Sequence, residues 1–145
     1  MKYLIILVFS SIWQIATAQN EEKSFKGYFF NNEYEVYIRM NLYEKNMSVP
    51  GHEILGELPG YLGKQRNNFF WLIVDGSIQS NQKAELQFVN DYGSEDFEAE
   101  LIKKNDSTFI LKHKDGSPLK VPNKGKWQKL PKEIQLNKNI TKQKP

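Results

Sequence analysis

Residues 34–43 read Tyr-Glu-Val-Tyr-Ile-Arg-Met-Asn-Leu-Tyr. Val36, Ile38, Met40 and Leu42 alternate with Glu35, Tyr37, Arg39 and Asn41. Successive side chains of a strand point to opposite faces, so a period of two describes a strand with one buried wall and one polar wall. The pattern recurs downstream. At 83–89, Ala84, Leu86 and Phe88 alternate with Glu85 and Gln87. At 96–102, Phe97, Ala99 and Leu101 alternate with Asp96, Glu98 and Glu100. No stretch sustains the 3.6-residue period of a helix.

Working outward, the composition predicts further strands at 25–30, 69–74 and 108–113, and weaker ones at 48–58, 61–63, 119–121, 125–130 and 134–136. Pro50-Gly51 marks an edge or a bulge. Pro59-Gly60, Asp75-Gly76, 90–94, 104–106 and 114–118 are turn signals, spaced roughly every 8–12 residues as in a sandwich or barrel. Short links between consecutive strands favour pairing of neighbours. The expected fold is therefore all-β: a single antiparallel meander of about eight strands, closed as a small barrel or packed as a sandwich.

The chain has 145 residues, 20 basic and 17 acidic, and no cysteine. Lys2, the apolar run 3–9 and Ala16-Thr17-Ala18 have the order of a secretory signal peptide cleaved before Gln19. The run is short of the ~20 residues of a spanning helix. The domain layout expected is a signal peptide at 1–18, a polar lead-in at 19–24, a β domain at 25–136 and a disordered tail at 137–145. Export to the periplasm or the exterior follows, as a soluble chain without a transmembrane span. Absence of cysteine excludes disulfides, thiolate metal sites and a cysteine nucleophile. The charge after residue 18, 19 basic against 17 acidic, is too small to imply nucleic acid as a partner. Neither a cofactor nor a metal site is expected.

Three groups of residues invite a chemical reading. The first is the acidic stripe Asp96, Glu98 and Glu100, with Asp91 in the loop before it. Spacings of two put these carboxylates on one strand face. They could hold calcium or act as a carboxylate pair in glycan hydrolysis. The plainer reading is a solvated strand face opposed by Lys103, Lys104, Lys112 and Lys114. The second is His52-Glu53, which adjacent strand positions would point to opposite faces. The third is aromatic: Tyr37, Tyr61, Trp71 and Trp127 are the candidate ligand-binding residues. Around Trp127 lie Lys120, Lys124, Lys126, Lys129 and Lys132. A basic and aromatic surface suits an anionic envelope polymer. The competing reading has lysines guarding a sheet edge while Trp127 plugs the core. No G-x-S-x-G elbow and no phosphate-binding glycine pattern occurs.

Residues 70–78, Tyr92-Gly93-Ser94-Glu95-Asp96, 115–120 and 125–131 resemble small exported all-β proteins of Gram-negative bacteria of the Bacteroidota kind. The resemblance covers about residues 25–136 and implies fold and location, with no activity attached. A looser resemblance is to lipocalin-like and avidin-like barrels, whose G-x-W lies near the first strand. Here that spacing occurs in Gly125-Lys126-Trp127, at the other end of the chain. The expected function is a non-enzymatic binding module for a protein, a glycan or a small apolar ligand. Two alternatives are a small carboxylate-based glycan hydrolase and an inhibitor or immunity-type protein.

Overall fold

The computed structural model describes residues 23–139; the leader expected at 1–18 and most of the tail lie outside them. Twelve strands follow in order: β1 (Lys26–Asn31), β2 (Val36–Asn41), β3 (Met47–Ser48), β4 (Glu57–Leu58), β5 (Gly60–Lys64), β6 (Phe70–Ser80), β7 (Lys83–Asn90), β8 (Asp96–Lys103), β9 (Thr108–Gly116), β10 (Lys120–Asn123), β11 (Lys126–Lys129) and β12 (Glu133–Lys138). Eight of them form one closed antiparallel barrel in the order β1-β12-β9-β8-β7-β6-β5-β2. Neighbours in sequence are neighbours in space, and β12 closes the ring against β1. The barrel alternative to the sandwich is thus the one realised.

Alternation decides which side chains enter the lumen. Ile38 and Met40 of β2, Trp71 and Ile73 of β6, Phe88 of β7, Phe97 and Leu101 of β8, and Phe109 of β9 are all essentially inaccessible. Eight strands leave an interior just wide enough for side chains to fill. Here aromatic rings fill it: Phe88 stacks on Phe97 at 4.6 Å, and Trp71 meets Phe97 edge-on at 4.9 Å. Glu85, Glu98 and Lys112 point outward and are exposed. An apolar lumen with a charged outer wall is the inverse of a lipid-spanning barrel.

Two insertions decorate this ring. Between β2 and β5, the β3–β4 pair and a single 3-10 turn at Glu53–Leu55 form a flap. The sequence predicted one weak strand over 48–58; Pro50-Gly51 instead divides it into two-residue pieces. The flap lays Val49 and Met47 over Tyr61, Phe70 and Leu72, which point outward from β5 and β6. Between β9 and β12, β10 and β11 form a hairpin whose Leu119, Val121 and Leu130 join the main core.

Other expectations shift in instructive ways. Asp75-Gly76 was expected to turn the chain, yet β6 runs through it to Ser80, with a register irregularity between Ile73 and Asp75. The glycine serves packing: a Cβ there would lie 2.6 Å from Cδ2 of Leu42. Asn137 and Lys138, expected to begin the tail, pair with Phe30 and Phe29 and help close the barrel. Asn31 Nδ2 also donates to the Gln135 carbonyl across this seam at 2.9 Å.

Candidate functional site

The four aromatic candidates have different fates. Trp71 is fully buried in the lumen, and its indole Nε1 donates to the Lys120 carbonyl at 2.9 Å. It cannot meet a ligand; its role is to pin β10 to the barrel. Tyr61 is 5% exposed beneath the flap, edge-on to Phe70 at 5.3 Å. Tyr37 is half-buried on the outer wall, between Tyr28 at 5.5 Å and Tyr61 at 6.3 Å. Burial is the leading cause that raises the phenol pKa of both Tyr37 and Tyr61, so both remain neutral hydroxyls at physiological pH. The Arg39 guanidinium sits 5.0 Å from the centroid of Tyr28. This wall cluster largely satisfies itself.

Trp127 stands apart. It is 53% exposed, so it does not plug the core. Residues 119, 121 and 130 do that, because alternation in the hairpin turns Val121 inward. In the hairpin register Lys120 faces Lys129 and Pro122 faces Trp127. These four share one face, and the exposure of Trp127 marks it as the outer one.

Trp127 is nevertheless held in place. Its ring meets Phe69 edge-on at 5.0 Å, and Phe69 meets Tyr92 at 6.1 Å. Tyr92 is 74% exposed. Phe69, itself buried, is the floor on which two exposed rings rest. Lys120 Nζ lies 5.8 Å from the Trp127 centroid and 3.1 Å from Glu95. That carboxylate ties the hairpin to the β7–β8 loop.

The loop is set by a buried asparagine. Asn90 Oδ1 accepts from the backbone N–H of Ser94 and Glu95, and its Nδ2 donates to Ser94 Oγ. This side chain replaces the strand ladder where the chain turns. It thereby fixes Asp91, Tyr92 and Glu95 at the same rim of the barrel. The rim unites the β5–β6 link, the β7–β8 loop and the β10–β11 hairpin.

The acidic residues separate. Asp91 is not part of the stripe. It turns toward β6, where its Oδ2 lies 3.4 Å from the Phe70 N–H and 3.6 Å from His52 Nε2. Its Oδ1 is buried and has no hydrogen-bond partner among the described residues. His52 therefore finds its carboxylate in Asp91 rather than in Glu53, whose side chain accepts from Gly51 N–H within the flap. Asp96, Glu98 and Glu100 do share the outer wall of β8. Glu100 is mostly buried between Lys114 at 2.9 Å and Lys83 at 3.3 Å. The Lys114 hydrogen bond holds the Glu100 carboxyl below its ordinary range, against the opposing effect of burial. A general acid needs the opposite shift. Glu98 lines an open depression of about 200 Å³ with Asp75, Ser77, Glu85, Gln87 and Lys114. Among the described residues no three His, Asp or Glu side chains converge as a metal site.

The crevice against Phe97, Leu111, His113, Leu119 and Ile134 has about 0 Å³ of room for even a water-sized sphere. His113 closes it, stacked 5.3 Å from Phe97 with Nε2 2.8 Å from the Ser117 carbonyl oxygen. The lumen is packed rather than hollow. No protein-family model, curated protein or solved structure matches the chain.

Proposed function

We propose that the protein is an exported, non-enzymatic binding module that takes its partner on the outer rim and not in the lumen. One observation carries the reading. Trp127, a large and costly ring to leave in water, is half exposed yet seated edge-on against Phe69, which also meets the exposed Tyr92. Exposed Trp and Tyr on a firm base are the anchors favoured at binding surfaces, since little conformational freedom remains to be lost. Export rests on the leader pattern of residues 1–18. A secreted chain whose measured mass begins at Gln19 supports it.

The two tryptophans after the leader provide the test. In a nitrogen–proton correlation spectrum, Trp71 and Trp127 each give one indole N–H signal. Titration with envelope glycan fractions should move the Trp127 signal and leave that of buried Trp71 in place. A Trp127 signal that no fraction shifts, in a folded chain, overturns the reading.

A further inference from the structure

We propose that the ligand of this rim is an acidic polysaccharide, whose sugar faces lie on Trp127 and Tyr92 and whose anionic groups meet Lys124, Lys126 and Lys129. The inference rests on the binding-module reading and names its ligand class. Three observations support it independently of the exposed rings.

The first is charge segregation. Residues 117–132 hold five of the 19 basic residues after the leader and none of the 17 acidic ones. The remainder is therefore net negative by three, and the small overall charge conceals a basic segment, beside which Glu95 pairs only Lys120. A concentrated charge of one sign attracts polyanions over distances near the Debye length.

The second is a set of lysines without carboxylate partners. Lys120 and Lys129 stand directly opposite each other in the β10–β11 register. Like charges at such positions destabilise a hairpin. Glu95 neutralises Lys120 alone. Lys124, Lys126 and Lys129 are exposed and have no carboxylate within ion-pair reach among the described residues. A hairpin that only plugged the barrel would need Leu119, Val121 and Leu130, but not this crowding of cations. A polyanion lying across it supplies partners for Lys124, Lys126 and Lys129.

The third is the polar setting of the rings. Ser94 and Glu95 stand beside Tyr92 in the β7–β8 loop, and Lys120 and Lys129 share the hairpin face of Trp127. Sinking this rim into a bilayer would strip water from Glu95 and from the Asn90–Ser94 loop network. A hydrated polymer with apolar ring faces suits alternating flat and polar contacts. In the periplasm or outside the cell, the locations expected from the leader pattern, a polysaccharide is a polymer of this kind.

The experiment uses the chain as secreted, titrated by calorimetry with polygalacturonate, neutral dextran, phosphatidylglycerol vesicles and oligothymidine. Two variants accompany it, Lys124→Gln/Lys126→Gln/Lys129→Gln and Trp127→Ala/Tyr92→Ala. All five positions are exposed, and unchanged melting curves verify folding. Polygalacturonate should bind, with the logarithm of affinity falling against the logarithm of salt at a slope of roughly −2 to −3, as for three released counterions. The lysine variant should lose at least tenfold at low salt, and the aromatic variant should lose binding at every salt concentration.

Equal binding of dextran, with no lysine dependence but loss in the aromatic variant, overturns the acidic ligand and leaves the rim as the binding surface. Tighter, lysine-dependent binding of vesicles or oligothymidine overturns the polysaccharide in favour of that polyanion. Binding of none of the four probes overturns the polysaccharide assignment. If Trp127 is also unmoved by every envelope fraction, the rim reading fails with it.

Discussion

Replacing Trp71 with phenylalanine tests how the barrel and the site are joined. The indole fills the lumen between Phe69 and Phe97, and its N–H is donated to the Lys120 carbonyl. Phenylalanine keeps one ring, loses the other and has no donor. Stranding a buried carbonyl costs about 1–2 kcal/mol, the lower part of the usual range because the oxygen has a second lone pair. The partial cavity adds about 1–2 kcal/mol, well under the cost of full truncation to alanine.

The expected loss is therefore about 2–4 kcal/mol, a large share of the ~5–15 kcal/mol of a typical domain. In urea the midpoint should fall by about 1–2 M, with the slope unchanged. The same variant should expose the hairpin: amides of residues 119–130 should exchange faster than those of β7 and β8. Trp127→Phe is the control, expected within about 0.5 kcal/mol of the parent because its ring is half in water. A Trp71→Phe midpoint equal to the parent's would refute the claim that this indole fills the barrel and pins the hairpin.

Three further outcomes follow from packing and charge. Gly60→Ala places a Cβ 2.4 Å from the Arg39 carbonyl oxygen and 2.6 Å from Met40 Cβ, and should destabilise by about 3 kcal/mol, read from a thermal melt. Glu100 has a depressed folded pKa and Lys114 a raised one, each chiefly through their mutual hydrogen bond. The Glu100 contribution is in place above the ordinary carboxylate range and fades as pH falls through the lower folded value. That of Lys114 is in place below the ordinary lysine value and fades as pH rises through the raised one. Glu100→Gln should accordingly flatten the decline of the urea midpoint below the ordinary carboxylate range and remove the alkaline decline due to the pair. Asp91→Asn removes a charge whose Oδ1 has no partner among the described residues, and should leave stability unchanged or raise it by up to about 1–2 kcal/mol. A loss beyond 2 kcal/mol in urea would show instead that the His52 contact outweighs the burial of the carboxylate.

Much of the architecture was open to reading from local pattern. Alternation at 34–43, 83–89 and 96–102 named the inward residues of β2, β7 and β8, because a strand's two faces are fixed by neighbouring residues alone. Val36, Ile38, Met40, Leu86, Phe88, Phe97 and Leu101 are all buried, as that pattern requires. Alternation places Glu98 and Glu100 on the outer wall, where Glu98 is exposed as a solvated face requires, but Glu100 is mostly buried between Lys114 and Lys83. Asp75-Gly76 misled because the dipeptide has the same composition whether a chain turns or makes room for Leu42.

The site was less accessible. Trp71 lies in the apolar run 69–74 and is sealed in the lumen, whereas Trp127 lies among lysines and stands on the rim. Nothing within ten residues of either reveals that Phe69 is the floor for both Trp127 and Tyr92. His52 adjoins Glu53 in the sequence, whereas its carboxylate is Asp91, 39 positions away. Sequence by itself determined strand faces, the cysteine-free chemistry and the clustering of lysines at 117–132, since these depend on residue type and nearest neighbours. Barrel closure, the filled lumen, the rim and the His52–Asp91 contact were decided by tertiary structure. They arise where loops from distant strands meet at one end of a closed ring, and no local period encodes which loops those will be.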